Sequence, residues 1–294
     1  MSVDPLEEVA ETADRLAVLL GAGLTPSAAW GNLADADSAP IRAAAWAAQA
    51  GEPVAPALRG ADAPPAARAA WDALAAGVAV AERTGAPLAT VLEQLAGTMR
   101  DIGTAERDVR AALTGPRLSA RLVMALPAVG IAFGFALGFD PIGVLFGSPV
   151  GAACAAAGGA LFLAGWGWTR TLVRRARPIA GFPGLTAELV AVALTAGTPL
   201  PAARRLVEEV TGSSADAVGE VATLAGAAGV PVAGLLRGEA RLRRRRAASE
   251  ARIRAESLAV TLLLPLGLCM LPSFMLLSVA PLLLAIVSST ALPF

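Results

Sequence analysis

Lysine, histidine and tyrosine are absent from this chain of 294 residues, and all 24 basic residues are arginine. Their absence removes the imidazole base, the amine nucleophile and the phenol on which much enzyme chemistry depends. The two cysteines, Cys154 and Cys269, lie within apolar stretches. They are too few for a disulfide framework or a zinc site. The composition therefore argues against an enzyme, and we expect no metal and no cofactor.

Charge is also scarce, at 16% of residues against 55% hydrophobic residues, and the mean hydropathy is +0.61. Soluble domains average about 25% charged residues, so these values indicate a membrane protein. Residues 1–121 carry 10 arginines and 15 acids, whereas residues 170–256 carry 14 arginines and 8 acids. The basic part has a single aromatic residue, Phe182. Nucleic-acid binding, which needs a reading element or stacking aromatics beside the basic patch, is not expected.

Three uncharged segments, 122–139, about 142–168 and 258–288, are candidate spans. About 18 residues of helix are just enough to cross a hydrocarbon core of ~30 Å. Trp166 and Trp168 end the second segment, where an aromatic belt is expected. The third segment is longer than one perpendicular helix and contains three prolines. It is either one tilted, kinked helix or a span followed by a re-entrant piece, and we favour the single span.

Arginines flank the candidate spans on one side only. These residues are Arg107, Arg110, Arg117, Arg121, Arg170, Arg174, Arg175, Arg177, Arg241, Arg243, Arg244, Arg245, Arg246, Arg252 and Arg254. The connection 140–148 and the tail 289–294 have none. The positive-inside rule therefore predicts a multi-pass protein of the cell membrane, with a cytoplasmic N-terminus and an external C-terminus. Its arginines would also contact anionic lipid.

The charged segments on either side of the spans have helical patterns, and no run of alternating β-branched residues argues for a strand. Asp4, Pro5 and Glu7 have the form of a helix N-terminus. An apolar stripe then recurs at helical spacing, formed by Leu6, Val9, Ala13, Leu16 and Leu20. The predicted fold class is all-α, with three transmembrane helices and two cytoplasmic helical bundles.

An internal repeat relates the two predicted bundles. Residues 16–23 are echoed by 190–197, at an offset of 174, and residues 85–92 are echoed by 229–236, at an offset of 144. The first copy then has about 30 extra residues, roughly 35–65. The sequence is accordingly divided into a first bundle (1–121), a transmembrane hairpin (122–169), a second, shorter bundle (170–257), a C-terminal transmembrane helix (258–288) and an external tail (289–294).

This arrangement resembles the type II secretion system F family, most closely its Tad (tight adherence) pilus branch. The residues that carry the resemblance are turns: Ala22-Gly23, Gly51-Glu52-Pro53, the stretch from Glu82 to Leu88, Ala196-Gly197 and Gly229-Val230-Pro231. The resemblance implies a non-catalytic inner-membrane platform (assembly) protein that couples a hexameric cytoplasmic secretion ATPase to the insertion or extraction of pilin subunits. A sister platform protein or a second copy of the chain is a further implied partner. The chain has no phosphate-binding Gly-x-x-x-x-Gly-Lys-Ser/Thr loop, so the energy must come from the ATPase.

Several residues have both a structural and a partner-binding interpretation. The candidate ATPase-binding residues, which otherwise form a solvated face, are Glu7, Glu8, Glu11, Asp14, Glu52 and Arg83. The turn residues Gly23, Gly85, Pro87, Gly197, Gly229 and Pro231 are expected to start or end helices. Small residues at 151, 155 and 159 predict a close contact, either within the chain or in a dimer. The alternative function is a membrane subunit of a transporter or passive permease.

Overall fold

A computed structural model describes residues 5–34, 36–138, 140–175, 181–281 and 283, and within these ranges the regular secondary structure is entirely helical. The predicted all-α class is confirmed. The chain divides into two compact units. We call Met1–Arg107 with Ile179–Ser249 the helical unit, and Asp108–Pro178 with Glu250–Phe294 the span unit.

The helical unit begins with five helices that precede the first span. They are α1 (Pro5–Gly21), α2 (Pro26–Gly31), α3 (Ala39–Ala50), α4 (Val54–Gly60) and α5 (Arg68–Thr84). The predicted stripe of α1 is buried except for Leu20, which is half-buried. The Thr25 hydroxyl caps α2 by accepting a bond from the Ala28 amide at 3.3 Å, and Pro26 occupies the first turn. The predicted cap at Asp4 lies outside the described residues.

The second part of the helical unit packs into the same core as the first. It contains α9 (Leu185–Thr195), α10 (Leu200–Thr211), α11 (Asp216–Ala228) and the start of α12 (Val232–Thr261). Helix α5 packs against both α9 and α10. Every residue of α9 from Ala187 to Ala193 is buried, and Glu188 is the only charged residue among them. A helix that is apolar nearly all round must be enclosed, so the helices of the two predicted bundles share one core.

The span unit has three helices that are long and apolar enough to cross a membrane: Leu88–Ala136, Pro149–Arg174 and Val232–Val279. The first and third of these begin in the helical unit. The first is α6 (Leu88–Ala136), which is continuous through the predicted start of the span at residue 122. Three membrane-spanning helices were predicted, and three candidates are found among the described residues.

The predicted second span, 142–168, is wrong in its N-terminal part, because Ser148 divides it into α7 (Pro141–Gly147) and α8 (Pro149–Arg175). Ser148 has extended backbone (ψ 149°), as expected of a residue before proline. Its hydroxyl accepts a bond from the Gly151 amide at 3.0 Å and so caps α8. At the start of α7, the Asp140 carboxylate accepts from the Gly143 amide at 2.9 Å.

The third candidate span is helical through its prolines. After a turn at Leu262 come α13 (Leu263–Pro265), a π-helical segment (Leu266–Met270), α14 (Leu271–Phe274) and a second π-helical segment (Met275–Val279). A proline lacks an amide N–H and crowds the carbonyl one turn earlier, and π-helical turns relieve this conflict. The helical course reaches Pro281, which agrees with a kinked helix that far; residues 284–288 lie outside the described part.

Within the span unit, the small residues of α8 follow the predicted face only in part. A Cβ at the predicted Gly151 would overlap the Val144 carbonyl oxygen of α7, whereas the contact with the third span runs through residues outside the predicted set. A Cβ at Gly158 would lie 2.7 Å from Leu277 Cγ, and one at Gly165 would lie 2.9 Å from Cys269 Cβ, whereas Gly159 has nothing within 4 Å. The Ser273 hydroxyl donates to the Gly158 carbonyl at 2.8 Å. The close contact is therefore intramolecular and runs through Gly158 and Gly165, because residues seven apart lie on one helical face.

Candidate partner-binding site

Three of the four acids proposed on α1 form ion pairs within the helical unit. Glu7 pairs with Arg107 at 3.5 Å, and Asp14 pairs with Arg100, both arginines lying on α6. Glu7 and Asp14 are seven residues apart in α1. Their partners Arg107 and Arg100 are also seven residues apart in α6, but they follow each other in the reverse order. Helices α1 and α6 therefore run antiparallel here, each pair lying two turns from the other.

The remaining candidate acids are less constrained. Glu11 pairs with Arg15 one turn later in α1, and both side chains are more than half exposed. Among the described residues, no ion pair involves Glu8, which is half-buried, or Glu52. Glu52 is exposed directly after Gly51, whose φ of 73° ends α3. Glu8, Glu11 and Glu52 are therefore the acids best placed to meet a partner.

Arg83 joins the end of α5 to α10. Its guanidinium donates two hydrogen bonds, of 2.9 and 3.0 Å, to the two carboxylate oxygens of Glu209. These bonds raise the pKa of Arg83 and hold the pKa of the Glu209 carboxyl below its ordinary value. Both side chains are about half exposed or more, so the pair contributes little to stability. It does orient Arg83 at the surface.

The predicted turn glycines all have left-handed backbone conformations. Their φ angles are 92° at Gly23, 72° at Gly85, 90° at Gly197 and 64° at Gly229. A residue with a side chain is disfavoured at such angles. Pro87 immediately precedes α6, and Pro231 immediately precedes α12. Both long helices therefore begin three residues after a left-handed glycine.

A buried polar cluster, which we did not identify from the sequence, joins three helices of the helical unit. Arg244 of α12 donates to the Glu188 carboxylate of α9 at 2.6 Å. The Thr98 hydroxyl of α6 lies 3.2 and 3.3 Å from the two oxygens of the same carboxylate. The side chains of Arg244 and Glu188 are 12% and 10% exposed. The cluster satisfies a buried charge and ties α6, α9 and α12 together.

A basic cleft adjoins this cluster. It has a volume of about 350 Å³, and its charged lining residues are Arg241, Arg244, Arg245 and Asp101. The described residues hold no group of three His, Cys, Asp or Glu side chains placed to bind a metal ion.

Comparison with known proteins agrees with the resemblance in the first part of the chain. No curated protein and no solved structure matches the chain significantly. Residues 12–136, from α1 to the end of α6, match the family model described as Type II secretion system (T2SS), protein F. Domains of this family are typical of membrane platform proteins of secretion or pilus machines, which are generally non-catalytic. Residues 12–136 are therefore similar to a T2SS protein F domain.

Proposed function

We propose that the protein is the inner-membrane platform of a Tad-type pilus or a similar secretion machine, coupling a hexameric cytoplasmic ATPase to pilin insertion or extraction. The observation that carries this proposal is the protein F domain at residues 12–136, whose last helix continues into the first candidate span. The ATPase supplies the energy, the helical unit receives its motion, and the pilins meet the spans. The arginine asymmetry supports a cytoplasmic N-terminus and an external C-terminus.

A duplication of the F-type unit is part of this proposal. The order α1, α2, α5, α6 has the counterpart α9, α10, α11, α12, and helices α3 and α4 occupy the extra segment of the first copy. Gly23 and Gly197 have φ angles of 92° and 90°, at the offset of 174. Gly85 and Gly229 have φ angles of 72° and 64°, at the offset of 144. These matched turns support two copies of one unit that share a core.

Two ion pairs support the duplication independently. Asp14–Arg100 joins α1 to α6, and Glu188–Arg244 joins α9 to α12. The acids lie 174 residues apart in the chain and the arginines lie 144 residues apart, which are the two offsets of the sequence repeat. Each copy would thus attach its first helix to its long helix by an acid–arginine pair.

The long helices are the proposed path of coupling. Helix α6 extends from the helical unit to Ala136, and the helical segment from Val232 extends to Val279. The Thr98–Glu188–Arg244 cluster links the bases of both. A partner that displaces the helical unit would therefore move both bases together. The acids Glu8, Glu11 and Glu52, with the oriented Arg83, are the proposed ATPase contact.

The proposal is tested by expressing the full chain together with a hexameric secretion ATPase and a pilin from the same genome. We expect the ATPase to co-purify with the detergent-solubilised chain, and the pilin to crosslink to a photoreactive residue placed at Leu163, an exposed position of α8. Deletion of the gene should abolish piliation. Co-purification with a solute-binding protein, in place of the ATPase, would instead support the transporter alternative.

A further inference from the structure

A cavity of about 300 Å³ lies within the span unit, between the part of α6 around Arg121 and the arginine-rich C-terminal end of α8. Helix α6 contributes Arg121 and Met124 to its lining, and α8 contributes Thr169, Arg170 and Arg174. The cavity is thus bordered by three cations and has an apolar part. Among the described residues, none of these three arginines has a carboxylate partner. The cavity therefore concentrates positive charge that the described part of the chain leaves uncompensated.

One buried hydroxyl in this cavity has no hydrogen-bond partner among the described residues. Thr169 is only 3% exposed, and its Oγ1 atom is unpaired. The neighbouring Thr171 hydroxyl, by contrast, donates to the Gly167 carbonyl at 2.9 Å. Leaving a buried polar group unpaired costs about 1–3 kcal/mol. A ligand atom in the cavity that accepts a hydrogen bond from the Thr169 hydroxyl would remove this cost.

One of the three arginines that line the cavity, Arg170, packs over an aromatic ring. The guanidinium carbon of Arg170 lies 5.4 Å from the centre of the Trp166 ring, a cation–π distance. Trp166 is itself 45% exposed, as expected for an aromatic residue at the membrane–water interface. A positioned guanidinium loses less freedom when it binds an anion, and its planar fork matches the oxygens of a phosphate.

We propose that this cavity binds the phosphate group of an anionic membrane phospholipid. Arg121, Arg170 and Arg174 would surround the phosphate, and the Thr169 hydroxyl would donate to one of its oxygens. The next residues along α6 towards the membrane include Leu122 and Leu126, which are 65% and 44% exposed and would contact the acyl chains. A lipid is favoured over an acidic protein segment because the cavity lies where charged ends meet apolar spans.

The test is native mass spectrometry of the full chain in detergent, with equal amounts of phosphatidylglycerol and phosphatidylcholine added. The wild type should retain one phosphatidylglycerol in preference to phosphatidylcholine. The double variant Arg121→Gln/Arg174→Gln should bind phosphatidylglycerol at least about tenfold more weakly. Each arginine near a membrane surface contributes roughly a fivefold effect on the binding of anionic lipid, and this variant loses two. The control Arg246→Gln/Arg254→Gln removes the same charge from span-flanking arginines outside the cavity and should lose far less phosphatidylglycerol binding than the cavity variant does.

A third variant distinguishes a specific lipid-binding site from non-specific electrostatic attraction between the arginines and anionic lipid. Thr169→Val leaves charge and volume nearly unchanged, and it should weaken phosphatidylglycerol binding severalfold while the thermal unfolding midpoint is retained. Wild-type binding by Thr169→Val, or equal losses in the arginine variant and its control, would overturn the proposal. Displacement of the lipid by a modest excess of inorganic phosphate would also overturn it, in favour of a free-anion site. Preference for an added acidic peptide over the lipid would do the same.

Discussion

Arg244 donates a 2.6 Å hydrogen bond to Glu188, and both side chains of this pair are about nine-tenths buried. Asp14 and Arg100 form the corresponding pair in the first half of the chain, but their side chains are 30% and 45% exposed. The same chemistry is therefore placed in two different dielectric environments. This difference lets the role of burial be measured within one protein.

We expect Arg244→Ala to destabilise the full chain by about 3–5 kcal/mol, because it leaves a buried carboxylate without its cation. Arg100→Ala should cost less than about 1 kcal/mol, because water solvates the more exposed Asp14. Denaturant unfolding of the detergent-solubilised protein, followed by circular dichroism, measures both values. Equal losses in the two variants would contradict the assignment of Glu188 and Arg244 to a buried cluster.

The left-handed turn before α6 gives a second prediction. Gly85→Ala should cost about 1–2 kcal/mol, the penalty for an L-residue at positive φ. Gly97→Ala is the matched control, since Gly97 lies within α6 and a Cβ there also has nothing within 4 Å. It should stabilise the chain by about 0.5–1 kcal/mol, because alanine is the better helix former. The two substitutions should therefore shift the unfolding midpoint in opposite directions, and shifts of the same sign would refute the turn argument.

Much of the local structure was predictable from the sequence because it depends on neighbouring residues. The α1 stripe, the turns at Gly85 and Gly229 and the number of candidate spans all follow from spacing and composition. The break at Ser148 was missed because hydropathy does not register a serine–proline helix start. The position of such a helix break can be predicted only when helix-capping residues are considered together with hydropathy.

The tertiary contacts were harder to predict. Gly151 of the predicted small-residue face makes a close contact, but Gly159 was predicted where Gly158 is used, because an Ala- and Gly-rich helix offers several equivalent small faces. The buried Glu188 was overlooked because a single acid within an apolar helix gives no sign of its partner. The two repeat offsets were nevertheless sufficient to find the pair. Adding 174 to the position of Asp14 gives Glu188, and adding 144 to the position of Arg100 gives Arg244.

A third prediction concerns the packing of α8. Gly158→Leu should destabilise the span unit by about 1–3 kcal/mol, because its Cβ would meet Leu277 and Leu276 within about 3 Å. Gly159→Leu should be tolerated, since the space around its Cβ is open. The thermal unfolding midpoints of the two detergent-solubilised variants test this difference. A lower midpoint for Gly159→Leu than for Gly158→Leu would show that the predicted face was right and the observed register wrong.

The proposed membrane orientation gives a fourth prediction. In a Cys154→Ala/Cys269→Ala background, Ile142→Cys should react with a membrane-impermeant thiol reagent in intact cells, because α7 lies in the arginine-free connection. Ser213→Cys is exposed in the helical unit and should react only after the cells are lysed. Labelling of Ser213→Cys in intact cells would reverse the proposed orientation.

A fifth prediction concerns the acidic surface, and the ion pairs determine its design. Glu7 and Asp14 are unsuitable for substitution because their loss would also break the contacts of α1 with α6. Glu8→Arg/Glu11→Arg alters the charge of α1 without breaking those contacts. The matched control is Glu93→Arg/Glu220→Arg, an equal charge change at two exposed positions elsewhere in the helical unit.

The association rate of the secretion ATPase with the full chain, held in lipid nanodiscs, tests the proposed coupling most directly. We predict measurable binding that Glu8→Arg/Glu11→Arg slows by about tenfold or more at low salt, since rim charges act mainly on the association rate. Raised ionic strength should reduce this difference, and the control pair should associate at the wild-type rate. A wild-type chain that does not associate with the ATPase would contradict the platform account. Equal association rates for the variant and its control would show that the ATPase does not bind at the acidic surface of α1.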